Sequence, residues 1–434
     1  MKKNQILWGV AIGIIFSASC STKQKETWNI SVEKSVFNEE KAVKDSGSKE
    51  FKATSAIETV KDMKTGWNLG NTLEATASRS LDSETSWGQP KTRKVMFDKL
   101  AEAGFKTVRI PVSWSNHIID NNYTIDPAWM SRVKEVVDWA IEDGLYVILN
   151  IHHDDWKDSS QMPRGKGFYP NKVNFEESSR FLVNVWSQIC LAFNNGYDEH
   201  LVFEVMNEPR LKGTKYEWWF DGSSPECVES AVVLNDLNQI ALDTIRNSGG
   251  NNKKRFVSIP GLRADPDCAM NSTFKMPKDY EPGRLILSVH MYTPYNFAGE
   301  SPGVKEFTKK MGSELALTFK SLNEKFIKQG YPVIIGEYGA TNKDNFIALV
   351  ALESDDYSRP LVIGFYPVKG AKSSEFDAMF KLMNMFDELL DNLLQAKTNT
   401  IIGPQMFFPD TISKINEIKV KVQELKNERL EINK

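Results

Sequence analysis

The chain has 434 residues, more than an ordinary domain, yet α/β barrels run beyond about 250 residues as single units, so one large domain with extensions accounts for the length. With 41% hydrophobic and 26% charged residues, and 54 basic against 57 acidic side chains for a net charge of −3, the composition is that of an ordinary globular protein. It excludes nucleic acid as the principal partner, which needs a basic excess or stripe.

Residues 1–19 read as an export signal: Lys2 and Lys3, an apolar run from Ile6 to Phe16, then Ser17, Ala18 and Ser19 before Cys20. The run is too short to remain as a membrane span. A small-residue stretch ending in Cys resembles a bacterial lipoprotein signal, which implies a lipid anchor on Cys20 and an outer-membrane or cell-surface location. Ser17 stands where that pattern has Leu, so a periplasmic or secreted protein is the alternative. Residues 20–55, rich in Lys, Glu and Ser, read as a polar tether. The remaining Cys190, Cys227 and Cys268 are odd in number and lack CxxC spacing, which indicates neither a zinc knuckle nor a disulfide framework; one Cys227–Cys268 bridge stays open.

From Ala56 onward short apolar runs alternate with amphipathic stretches. The runs are GWNLGN (66–71), TVRIPVSW (107–114), YVILNIHHD (146–154), LVFEVMNEP (201–209), RFVSIPG (255–261), LILSVHMY (285–292) and PVIIGEYG (332–339). Helical spacing covers 91–103, 127–143, 175–193, 229–248 and 313–329. Strands covered on both faces by intervening helices form a parallel sheet, and seven βα units over residues 56–345 favour a (β/α)₈ barrel over an open sheet.

Asn71, Arg109, His152, His153, Asn207, Glu208, His290, Tyr292, Glu337 and Tyr338 fall at or near the ends of these runs, with no polar residues scattered through the strand bodies. In a barrel that is the face where active sites form, so the ring is expected around one cleft. GxGxxG, GxxxxGK[ST] and GxSxG are absent, which argues against nucleotide, dinucleotide and serine-hydrolase chemistry, and no cofactor is expected. Adjacent His152 and His153 should point to opposite faces of a strand, and HExxH is missing, so no metal site is expected.

Glu208 and Glu337 end the fourth and seventh runs, across the mouth of such a barrel. Two carboxylates flanking a bond suit glycoside hydrolysis, one protonating the leaving oxygen and one ionised. Arg109 can hold one ionised, and that charge favours the proton on the other.

GWNLGNTLEA, SWGQP, FKTVRIPVSW, ILNIHHDDW, VFEVMNEPR, SVHMYTPYNFA and GEYGATNKDN resemble, in order and spacing, the endo-β-1,4-glucanase branch of glycoside hydrolase family 5. The resemblance implies Glu208 as acid/base, Glu337 as nucleophile, Arg109 steadying Glu337, Asn207 on the sugar 2-hydroxyl, His152 and His153 on sugar, and His290 and Tyr292 beside the carboxylates. It implies a β-glucan substrate and a retaining mechanism, with carboxyl groups about 5–5.5 Å apart. Asn71, Trp114, Trp156 and Tyr338 are expected to line the cleft. Trp129, Trp139 and Trp186 are expected in the core, and Trp218 and Trp219 form either an outer subsite or a loop anchor. A monomer is expected.

After residue 345 the resemblance stops. The family's eighth strand carries a Trp-rich motif forming the floor of the sugar site, and this chain has no Trp beyond Trp219. The eighth unit is therefore divergent or missing: 346–396 offers a short helix, the strand-like run 360–366 with Phe365 or Tyr366 near the missing Trp, and a helix at 375–395. Residues 397–434 form an extension with a narrow-striped helix from 414. A catalytically weak or inert glycan-binding barrel is the competing reading, and a partner-docking role for 346–434 a third.

Overall fold

The computed structural model describes residues 14–17, 27–30, 48–52, 54–156, 167–299, 303–304 and 308–339. Cys20, the eighth unit expected at 346–396 and the extension at 397–434 lie outside them. Two short strands, β1 (Ile14–Ser17) and β2 (Thr27–Ile30), pair antiparallel with Ile14 opposite Ile30. β2 falls inside the stretch read as a tether, where Thr, Trp and Ile give a local β preference among polar residues.

Seven parallel strands follow: β3 (Gly66–Asn68), β4 (Thr107–Ile110), β5 (Tyr146–Asn150), β6 (Leu201–Glu204), β7 (Val257–Pro260), β8 (Leu285–Met291) and β9 (Val333–Tyr338). They pair in chain order from β3 to β9, each run predicted from sequence supplying one. Among the described residues β3 and β9 are not paired as strands, but Asn68 Nδ2 donates to Gly336 O at 2.9 Å, so the first and seventh strands approach across the interior of a nearly closed barrel.

The principal outer helices sit where the 3.6-residue period placed them: α2 (Lys94–Glu102), α3 (Pro127–Glu142), α4 (Phe175–Ala192), α5 (Pro225–Asn247) and, after the short α6 (Pro266–Met270) and α7 (Tyr295–Ala298), α8 (Lys309–Lys325). Two begin earlier than periodicity indicates, for capping reasons. Pro225 opens α5, where its missing N–H costs nothing, and Thr308 accepts from Met311 N at the start of α8.

Side-chain alternation divides the strands into two sets. Val147, Leu149, Phe203, Val257, Leu287 and Ile335 face outward into the large core shared with the helices. Tyr146, Ile148, Val202, Phe256, Ile286 and Ile334 form a second cluster with Phe51 and the apolar face of α1 (Ala56–Met63). That helix therefore plugs the N-terminal end of the barrel, and Ser55 and Glu58 close its first turn as a reciprocal capping box. Phe51 belongs to this packed body, ahead of the expected start at Ala56. Trp129 and Trp186 are wholly buried and Trp139 packs at the core's edge, as expected of them.

Candidate active site

Each inward column is apolar at the bottom and polar at the top: Ile148 then Asn150, Val202 then Glu204, Ile286 then Ser288 and His290. Asn68, Asn150 and Glu204 are the last residues of β3, β5 and β6, Arg109 is the last but one of β4, and Ser288 lies inside β8; all five are buried. Of these the sequence reading singled out Arg109. An isolated polar residue in an apolar run carries no mark of facing others like it.

Strand β9 departs from plain alternation. Val289 pairs with Ile335 but His290 pairs with Glu337, so Gly336 is an extra residue and forms a bulge. Without it Glu337 would follow Ile335 to the outer face. The bulge turns Glu337 inward and sends Tyr338 outward, where it is wholly buried in the helix-facing core. Tyr338 is therefore not a cleft residue. A Cβ on Gly336 would lie 3.0 Å from His290 Nε2 and 3.2 Å from Ser288 Oγ, so any side chain here would press on the imidazole and the hydroxyl.

Arg109, wholly buried, gathers this layer. Its Nη1 donates to Glu337 Oε1 at 2.7 Å and Asn68 Oδ1 at 3.1 Å, its Nη2 to Asn207 Oδ1 at 2.6 Å, and its Nε to Glu204 Oε2 at 2.9 Å. Glu204 also accepts from Asn150 Nδ2 at 2.8 Å and Ser288 Oγ at 2.6 Å. Glu204, absent from the sequence reading, is thus a further carboxylate of this layer, buried and spent on holding the guanidinium. Tyr292 OH donates to Glu337 Oε2 at 3.0 Å. Burial alone would raise the Glu337 carboxyl, but His290, Arg109 and the Tyr292 hydroxyl outweigh it and hold the group well below the usual carboxylate range.

Glu208 lies beyond the end of β6 and is more open, its side chain 15% exposed. A hydrogen bond of 2.8 Å joins its Oε1 to His290 Nδ1, which is also 3.6 Å from Glu337 Oε2. Oxygens of Glu208 and Glu337 lie within 4.8 Å of each other, in the range for direct attack by one carboxylate rather than through an intervening water. Glu208, His290 and Glu337 bring oxygen and nitrogen atoms within 4.8 Å of one another, and the cation that Glu337 faces there is the Arg109 guanidinium. Burial works against charge on His290, and the two glutamates overcome it, raising the imidazole.

His152 Nδ1 accepts from Asn150 Nδ2 at 3.1 Å, placing its proton on Nε2, 3.9 Å from Glu337 Oε1. Burial pushes His152 well below the usual imidazole range and His153 down to about 4, so both are neutral. Their rings meet edge to face at 4.4 Å. β5 has ended at Asn150, so strand alternation does not separate them, a correction to the opposite-faces expectation. His153 also faces Trp87 at 5.4 Å, a partly exposed rim aromatic that sequence reasoning passed over.

Asn71 stands at the rim with positive φ, its backbone N–H donating to Glu74. Glu74 also accepts from Thr72 N at 2.8 Å, and burial lifts its carboxyl to about 7. Trp114 is not a cleft residue: it is wholly buried, its Nε1 donating to Asn150 O at 2.9 Å, because Asp154 accepts from the Trp114 and Ser115 N–H groups and turns the chain back after β4. Trp156 is partly exposed beside Lys212. Trp218 and Trp219 are 62% and 71% exposed, Trp218 over Arg210. Cys190, Cys227 and Cys268 are buried free thiols, so Cys227 and Cys268 do not pair.

A barrel with two adjacent carboxylates at its C-terminal rim, one clamped by arginine, has the anatomy of a glycosidase centre. The family model for cellulase, glycosyl hydrolase family 5, matches residues 27–363, and the chain belongs to that family. It is 45% identical to endoglucanase B of Ruminococcus albus over 67% of this chain and 66% of the relative, and 42% identical to endoglucanase 1 of the same organism over 74% and 72%. Among solved structures it resembles a family 5 lichenase from Caldicellulosiruptor sp. F32 in complex with cellotetraose (TM-score 0.67, 38% identity, 74% of this chain and 88% of that one). It also resembles a broad-specificity endoglucanase from Ruminococcus champanellensis with bound cellotriose (TM-score 0.65, 37% identity, 73% and 90%).

Proposed function

We propose that the protein is an endo-acting retaining β-glucanase that cleaves internal β-1,4-glucosidic bonds, with Glu337 as nucleophile and Glu208 as acid/base. The observation that carries this reading is the division of labour between two carboxylates within 4.8 Å: Glu337 is locked and ionised by Arg109 and Tyr292, and Glu208 is at the rim against His290. In the first step Glu337 attacks the anomeric carbon while Glu208 gives its proton to the leaving oxygen. In the second, Glu208 takes a proton from water, which displaces Glu337 from the glycosyl-enzyme. Asn207, held by Arg109, is set to bind the 2-hydroxyl, and His152, His153 and Trp87 to contact the sugar. The inert-barrel reading is not favoured, since glycan binding alone would not require an ionised carboxylate clamped beside a second one.

Release of reducing ends from carboxymethylcellulose, barley β-glucan, xyloglucan, xylan and mannan, with Glu337→Ala as control, tests the activity and names the substrate. Labelling by a mechanism-based fluorosugar should fall on Glu337; labelling of any other carboxylate overturns the assignment. The leader supports a second reading, a surface lipoprotein anchored through Cys20. Cys20→Ala should then move the protein from the membrane fraction to the soluble one, and an unchanged distribution counts against the anchor.

A further inference from the structure

Behind Glu208 lies a group of charges that the mechanism above does not use. Arg210, buried, donates from Nη1 to the Glu208 backbone carbonyl at 3.0 Å, and the same nitrogen is 3.6 Å from Glu208 Oε2 and 3.3 Å from Asp155 Oδ2. Its Nε reaches Glu217 Oε1 at 3.5 Å, and Trp218 covers the guanidinium at 4.5 Å. Asp155 is almost wholly buried, and among the described residues neither of its oxygens accepts a hydrogen bond; its partners are the charges of Arg210 and, at 3.8 Å, Lys212. A buried carboxylate with ionic partners alone is costly unless its charge is needed.

The guanidinium stands beside the group that gives up a proton in the first step of the proposed reaction, a placement that works against that step unless the positive charge is offset. We propose that Asp155 and Arg210 are positioning residues for Glu208: Arg210 pins the loop that carries it, and Asp155 holds the guanidinium in place and offsets its charge beside the Glu208 carboxyl. This rests on the acid/base role proposed for Glu208. The other groups facing Glu208 are His290 from β8, Glu337 from β9, and Tyr292 beyond β8; Glu217 and Lys212 face the pair from the loop after β6. Burial, against Arg210 and Lys212, brings Asp155 up to about 6, so it carries its charge at neutral pH.

The test is the pH profile of kcat/KM on barley β-glucan for the full chain and for Asp155→Asn, Arg210→Gln and Arg210→Lys. Asp155→Asn removes the buried countercharge of the guanidinium and leaves it Glu217, and its alkaline limb should move to lower pH by about one unit, about tenfold in rate on that side. Arg210→Gln removes the cation and should move the limb the other way, while Arg210→Lys should keep it near its native place. With dinitrophenyl β-cellobioside, whose leaving group needs no proton, the limb and its displacements should vanish. A structural role alone would lower rates without moving limbs in opposite directions. Unmoved limbs, or limbs that move together, overturn the proposal. If Asp155→Asn does not fold, a common limb for the Gln and Lys variants of Arg210 overturns it alone. Native activity with unmoved limbs defeats only this inference; a native chain without glycanase activity defeats the proposed function with it.

Discussion

Arg109 shows why the identity of one buried cation matters more than its charge. Its planar fork serves Glu337, Asn68, Asn207 and Glu204 at once, and an ammonium could not reach all four. Arg109→Lys should therefore lower kcat/KM on β-glucan by about 10²–10³-fold and cost about 3–5 kcal/mol of stability, read by denaturant melts. A variant within tenfold of native activity would show that the clamp on Glu337 is dispensable. Gly336 acts at the same scale by having no side chain. Gly336→Ala presses a methyl onto His290 and should displace the ring from Glu208, lowering kcat by about 10²-fold. An alanine variant with native kcat would mean that the His290–Glu208 contact does not matter to turnover.

At the level of elements, strand order and helix placement were legible because both faces of each strand are covered and the apolar runs stand out. The inward polar layer was not: Asn150 and Glu204 look like lone intrusions until alternation and pairing set them side by side. Nor could the fate of Tyr338 be read, since it turns on a single-residue bulge, or that of Trp114, which turns on a backbone path set by Asp154. Glu208, Glu337 and Arg109 were legible because charged residues beside apolar runs are rare enough to mark a site. The short helical turn Ser115–His117 adds a pH-sensitive element away from the carboxylates. His117 stacks on Trp129 of α3 at 3.7 Å, and burial, against Asp126, brings its imidazole down to about 4. It is neutral when folded and protonated when unfolded below about pH 6.5, so its contribution is complete above that pH and is lost as pH falls toward 4. His117→Phe keeps a flat ring on Trp129 and removes the proton. Its loss of stability between pH 7 and pH 4 should be smaller than the native protein's by about 2 kcal/mol, and equal losses in urea melts at the two pH values would exclude this role.

Across the whole molecule, the approach of the first and seventh strands depends on Asn68, whose amide nitrogen donates to Gly336 O and whose side-chain carbonyl accepts from Arg109. Asn68→Leu fills the same space but takes one acceptor from Arg109 and the side-chain donor from Gly336 O in a dry interior, at a cost of about 2–4 kcal/mol in denaturant melts. A cost below about 0.5 kcal/mol would show that the barrel does not rely on this link. The cage around Arg109 also joins residues as far apart in the chain as 109 and 337, so the carboxylate geometry comes into being only when early and late segments have met. Heat inactivation and global unfolding should accordingly be one event: an enzyme built this way has no folded but switched-off form to pass through on warming, and residual turnover can serve as a direct count of intact molecules.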